Sequence, residues 1–185
     1  MITNFFNFKE KNNFDEISFF NEGFARTKLN EKWNFINQNG EILSPNQWYD
    51  TVDDFNEGFA RVKVNGQYNL INQNGELLNP NQWYDYTYSF NEGLTKVYLN
   101  GKWNFVNQNG ELLSPIQWFN WINDFCEGFA IVELNGKYNF IKQNGKLLSP
   151  NQCFDWVNDF YKGFAWVELN GEWHKINKEG VFMCE

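Results

Sequence analysis

The 185 residues carry a net charge of −8 and a pI near 4.7, which opposes non-specific binding to nucleic acid or to an anionic membrane surface, because both need clustered Lys and Arg. Phe, Trp and Tyr supply 20% of the chain, so its core is expected to be aromatic rather than aliphatic, each buried ring removing ~150–250 Å² from water. No apolar run approaches the ~18 residues of a membrane helix, and Met1-Ile2-Thr3-Asn4-Phe5-Phe6 has neither the basic start nor the apolar stretch of a cleavable leader.

One dipeptide organises the rest. Glu-Gly, or Lys-Gly in the last case, recurs at residues 22, 57, 92, 127 and 162, always 35 apart. A period held without insertion marks a tandem array of one supersecondary unit, and such units bury their apolar faces only by stacking on neighbours. The expected organisation is a single repeat domain over 1–185. It comprises a partial N-terminal unit (1–21), full repeats at 22–56, 57–91, 92–126 and 127–161, and a truncated repeat at 162–185.

In chain order, Lys9-Glu10-Lys11 is expected to blunt an exposed strand edge. Phe14 to Phe20 then aligns with Tyr49 to Phe55, so the chain opens on the tail of a unit. Within the second unit, Ala60, Val62 and Val64 alternate with Phe59, Arg61 and Lys63, the period of a half-buried strand. Asn65-Gly66 follows, the strongest short hairpin signal, because both central residues of a type I′ turn need positive φ. It recurs at Asn100-Gly101, Asn135-Gly136 and Asn170-Gly171, whereas Asn30-Glu31 in the first unit predicts a looser turn.

An aromatic strand surrounds Trp33, Tyr68, Trp103, Tyr138 and Trp173. A third strand of about three residues, Ile42-Leu43 and its equivalents, is expected to stop at Pro45, Pro80, Pro115 and Pro150, which cannot donate to a ladder. In the tails, Tyr49, Val52 and Phe55 are spaced by three, which points to one turn of tight helix or a compact loop. The fold expected is all-β: tandem 35-residue repeats of a three-stranded antiparallel meander plus an aromatic turn, as an open β-repeat array. The alternative is a closed five-bladed propeller, in which the first segment completes the last unit.

The pattern Phe-x-Glu-Gly-Phe-Ala-x-Val, then Asn-Gly-Lys-Trp/Tyr, an apolar pair, a Gly turn, a Pro and Tyr-Asp resembles the bacterial WG repeats, also called KWG repeats. The resemblance runs from Phe14 to Met183. It departs at one position: where the family usually has Trp-Gly, this chain has Trp33-Asn34, Tyr68-Asn69, Trp103-Asn104, Tyr138-Asn139 and Trp173-His174. The resemblance implies a non-catalytic all-β repeat module and supplies no catalytic residue.

Candidate chemistry is sparse. The only histidine, His174, stands where sister units hold Asn, and a Ser-His-Asp or Cys-His site would have to use it. No Cys-x-x-Cys or His pair suggests a metal, and the glycines fall at hairpin spacing rather than in a phosphate loop. Cys126, Cys153 and Cys184 do not form a disulfide framework, and a reducing cytoplasm is the expected location. Glu22, Glu57, Glu92 and Glu127 form a once-per-unit column, and Asp50, Asp53 and Asp54 cluster. Both sets read as turn residues. Asp15, Asp50, Asp85 and Asp155, with Asn120 in the fourth tail, read as Asx-type bonds inside the aromatic turn.

A role peculiar to this chain is expected where the units differ. Outer positions of the first strand run Arg26/Lys28, Arg61/Lys63, Lys96/Tyr98, Ile131/Glu133 and Trp166/Glu168. The position after the tail Asp or Asn runs Glu16, Thr51, Tyr86, Trp121 and Trp156. Exposed Trp and Tyr among charges are the make-up of a protein-binding hot spot, though the same rings could simply cap the stack. The candidate partner-binding set is Tyr86, Trp121, Trp156, Trp166, Asp124, Glu133, Asp159 and Glu168. The leading expectation is a non-enzymatic protein-interaction module without cofactor or metal. The alternative is a small acidic inhibitor of a nucleic-acid-handling protein, of the phage anti-CRISPR or anti-restriction kind, binding that protein and no nucleic acid or membrane. Sugar stacking on the aromatic rows is a third class, and an enzyme the least expected.

Overall fold

A computed structural model describes residues 13–183, so Lys9, Glu10, Lys11 and Cys184 lie outside it. The described residues are all-β with no helix, arranged as five three-stranded antiparallel sheets in tandem, none closed into a barrel. The sheets are β1 (Glu16–Ile17), β2 (Phe24–Leu29) and β3 (Lys32–Asn37); β4 (Thr51–Val52), β5 (Phe59–Val64) and β6 (Gln67–Asn72); and β7 (Tyr86–Thr87), β8 (Leu94–Leu99) and β9 (Lys102–Asn107). Then follow β10 (Trp121–Cys126), β11 (Phe129–Leu134) and β12 (Lys137–Lys142), and β13 (Trp156–Val157), β14 (Phe164–Leu169) and β15 (Glu172–Asn177). Strand order in every sheet is the chain order, a meander.

The third strand of each sheet is not the one expected from sequence. Ile42, Leu77, Leu112, Leu147 and Phe182 make only isolated bridges, to Ile36, Ile71, Val106, Ile141 and Ile176. The tail supplies the strand instead: Thr51–Val52 pairs antiparallel with Lys63 and Val62, and Trp156–Val157 with Glu168 and Val167. The strand is only two residues long, so the three-residue spacing of the flanking rings hides its alternation. In the fourth sheet it extends to six residues with a register shift between Ile122 and Phe125.

Each sheet is therefore complete within contiguous sequence. β1 pairs with β2, so the first segment does not complete the last sheet.

Two hairpin turns follow from this order. Asn65 and Gly66 have φ of 50° and 87°, as type I′ requires. Asn30 and Glu31, at 50° and 66°, form the same two-residue turn with Leu29 paired to Lys32, so the first turn is as tight as its sisters. The Glu-Gly dipeptide is a second hairpin: Glu57 and Gly58 have φ of 51° and 80°, and Asn56 and Phe59 exchange both backbone hydrogen bonds, at 2.8 and 3.2 Å.

By contact density the chain falls into two compact units, one up to Tyr98 plus Asn107–Gly110, the other Leu99–Val106 plus Glu111 onward. In the first, Phe24, Phe35, Trp33 and Leu43 of the first sheet and its following turn pack on Tyr49, Val52, Phe55, Ala60, Val62 and Ile71 of the second sheet and the tail that leads through it. In the second, Phe129, Ile131, Phe140 and Leu148 meet Phe154, Val157, Phe160, Ala165, Val167 and Ile176 in the same way. Within each unit, neighbouring sheets thus share an aromatic core.

Candidate functional site

The residues repeated in every unit are spent on joints. Asn34, Asn69, Asn104 and Asn139, standing where the resemblance places Gly, are buried. Asn34 Nδ2 donates to the carbonyls of Ser44 (2.7 Å) and Gln47 (2.9 Å), while its Oδ1 accepts from the Phe35 amide (2.8 Å). Asn139 repeats the arrangement on Ser149 (2.8 Å), Gln152 (2.9 Å) and Phe140 (2.8 Å). Each Asn clasps the proline turn that follows its strand. In the last unit His174 is half-exposed, its Nε2 4.0 Å from Glu172 Oε2.

Three tail aspartates, and Asn120 in the fourth tail, bond a distant turn. Asp15, Asp50 and Asp155 accept from the amides of Asn30 (2.8 Å), Asn65 (2.7 Å) and Asn170 (2.7 Å), and Asn120 Oδ1 from Asn135 (3.1 Å), each gripping the hairpin turn fifteen residues on. Lys32 also pairs with Asp50 and Lys137 with Asp155. In both cases the lysine first, and the turn amide second, hold the carboxyl below its ordinary range.

The glutamate column joins repeats. Glu22 Oε1 and Oε2 accept from the amides of Glu57 (3.0 Å) and Gly58 (2.9 Å), and Glu57 accepts from Glu92 and Gly93, both at 2.9 Å. Glu127 accepts from Lys162 (2.7 Å) and Gly163 (3.0 Å). Lys178 Nζ lies 3.1 Å from Glu127 Oε2 and, ahead of those amides, lowers the Glu127 pKa. Asn21 and Asn56 add bonds to the Phe55 and Phe90 carbonyls, at 2.8 and 2.6 Å. Distances of this kind between repeats cannot be seen in a single unit's sequence.

What differs between units gathers on the fourth and fifth sheets. Register places Trp156, Glu168 and Trp173 in one row across the fifth sheet, with Trp166 opposite Lys175 in the adjacent row. Trp156, Trp173 and Trp166 are 49%, 48% and 38% exposed. On the fourth sheet Trp121, 44% exposed, is opposite Glu133, which in turn is opposite Tyr138. Glu133 Oε1 accepts from the Gly136 amide at 2.8 Å, and Asn123 Nδ2 lies 3.4 Å from both oxygens of Asp159. Asp124 is exposed on the bulged strand β10.

Tyr86 belongs to the other compact unit. It is half-buried, 5.1 Å from the Tyr68 ring and 5.2 Å from Tyr88, with the Arg61 guanidinium 5.1 Å from its centroid. Trp173 was missed by the comparison of outer positions because every unit has a ring there; only its exposure singles it out.

Among the described residues no three His, Cys, Asp or Glu side chains converge to hold a metal ion. Cys126 and Cys153 are free and exposed.

In comparisons with solved structures, a TM-score of 0.40 and 9% identity relate the chain to Hsv2p of Kluyveromyces lactis, over 92% of this chain and 62% of that one. AztD of Citrobacter koseri in its apo form gives 0.41 and 7%, over 92% and 57%. A protein of unknown function from Bacteroides caccae gives 0.31 and 11%, over 92% and 80%. The chain thus spans about three fifths of the length of the first two. No curated protein matches it in sequence. The family described as WG containing repeat matches residues 13–33, 35–68, 84–103, 105–138 and 140–173. With most of its length in these five matches, the chain belongs to the WG-repeat family.

Proposed function

We propose that this chain is a non-enzymatic protein-interaction module that binds another protein through the aromatic face of its fifth sheet, with Trp121 and Glu133 of the fourth sheet beside it. The observation that carries this reading is the row Trp156–Glu168–Trp173 with Trp166 alongside, four side chains on one sheet face, three of them tryptophans more than a third exposed. Large rings with few rotatable bonds, set among charges, supply contact area at low entropic cost and dominate measured interface energies. The repeated residues support it from the other side, since Asn, Asp and Glu at those positions are occupied in turns and joints. Exposed thiols at Cys126 and Cys153 suit a reducing cytoplasm.

The test is capture of partners by the full chain, compared with Trp166→Ala and with Trp156→Ala/Trp173→Ala. A partner retained by the parent and lost by both variants, with unchanged melting temperature, is the expected result. Retention by both variants would refute the face.

A more specific reading is an acidic inhibitor that occupies a basic nucleic-acid channel. It draws on the net charge of −8 and on Glu168 set between two tryptophans. Binding to such an enzyme would then weaken steeply between low and physiological salt, whereas salt-insensitive binding would remove this reading and leave the first.

A further inference from the structure

The carboxylate joints reveal a receptor as well as a ligand. In three modules the receptor is the amide pair of the Glu-Gly or Lys-Gly turn, one N–H to each oxygen at 2.7–3.0 Å. A third group sits beside it: Gln73 Nε2 is 3.4 Å from Glu22 Oε2, and Lys178 Nζ is 3.1 Å from Glu127 Oε2. Consecutive amides at left-handed turn residues converge on one point and form a small concave anion site, which a carboxylate can bridge with both oxygens.

The first module builds the same receptor. Glu22 and Gly23 have φ of 46° and 87°, against 51° and 80° at Glu57-Gly58 and 52° and 84° at Lys162-Gly163. Asn21 and Phe24 exchange backbone bonds of 2.8 and 3.0 Å, closing the turn as in its sisters. Gln38 holds the sequence position of Gln73 and Lys178. Glu22 and Gln38 are exposed, a Cβ on Gly23 would meet nothing within 4 Å, and among the described residues no backbone carbonyl accepts from the two amides. The Glu22 side chain itself reaches the next module, so it is not the ligand of its own turn.

We propose that the Glu22-Gly23 turn, with Gln38, is a carboxylate-binding site that takes an acidic side chain or a terminal carboxylate. The site is independent of the aromatic face. Its selectivity is for a two-oxygen planar anion, since the amide pair offers one donor to each oxygen. Lys178 shows how it can be strengthened, by replacing a neutral donor with a cation at the third position.

The experiment is an amide NMR titration of the full chain with sodium acetate, against sodium chloride at equal ionic strength. The Glu22 and Gly23 amides should shift and saturate with acetate, while those of Gly58, Gly93 and Gly163, already bonded to carboxylates, stay in place. Gln38→Lys should tighten acetate binding several-fold. Arms with N-acetylglutamate amide and with N-acetylglycine distinguish a side-chain from a terminal carboxylate. Equal response to chloride, a Gly23 shift no larger than those of the hairpin residues Gly66 and Gly171, or no gain from Gln38→Lys would each overturn the site.

Discussion

The Lys175 ammonium lies 3.6 Å from the centroid of the Phe164 ring. The counterparts of Phe164 are covered differently: Phe24, Phe59 and Phe129 pack on Phe55, Phe90 and Phe160 of the tail that leads into the next sheet, at 4.8, 4.7 and 4.4 Å. The counterparts of Lys175 are the buried Phe35, Leu70, Phe105 and Phe140. The fifth sheet therefore has a cation where its sisters have core, on the same face as Trp166. Lys175→Phe should make the protein self-associate, read as concentration-dependent sedimentation. An unchanged sedimentation coefficient at every concentration would show that this lysine does not limit stacking.

Asn104→Ala strips two carbonyls, Ser114 and Gln117, of a buried donor. It is expected to cost about 2–3 kcal/mol in urea unfolding. His174→Ala, at the equivalent but half-exposed position, is expected to stay within about 0.5 kcal/mol. Equal losses would mean that the amide clasp contributes little.

Acid should unfold this protein through a few identifiable carboxylates. Glu127, Asp50 and Asp155 are all held below their ordinary range, first by Lys178, Lys32 and Lys137, then by turn amides. A depressed folded-state pKa means stability that is complete above the unfolded value and lost as pH falls through the folded one. The melting temperature should be level near neutrality and decline from about pH 4 downward. Glu127→Gln should lower it at pH 7 and flatten the acid decline. A variant curve parallel to the parent's would exclude this joint as a source of pH dependence.

The glycines separate into two kinds. Gly58→Ala meets no neighbour and only places a side chain at positive φ, an expected cost of about 1–2 kcal/mol. Gly110→Ala also drives its Cβ to 2.8 Å from the Leu78 carbonyl oxygen, where one repeat touches the previous one, so it should cost more. Comparable melting temperatures would show that this contact yields easily.

The repeat, its length, the Asn-Gly turns and the alternation of β5 were legible in the sequence because each depends on residues adjacent in the chain. Three features were not. The tail strand is two residues long, too short for a period to register. The Glu-Gly hairpin places Glu at positive φ, where Asn or Gly is the usual signal, and its purpose is a bond to a turn 35 residues away. Asp50 looks like a local cap until the distance to Asn65 is known. The aromatic residues of the candidate face could be named from sequence, but their grouping required register. Tyr86 is half-buried because Arg61, Tyr68 and Tyr88 lie against it, a contact set that its own position does not reveal.

The tail of each module also touches the one before it: Tyr49 exchanges backbone bonds with Trp33, at 2.8 and 2.9 Å, before β4 joins its own sheet. A growing polypeptide could thus finish one sheet, hand its last strand to the next tail as a template, and continue without waiting for distant sequence. Low-contact-order chains of this kind are expected to fold quickly, and duplication of a single 35-residue stretch would bring a ready-made splice to its neighbour.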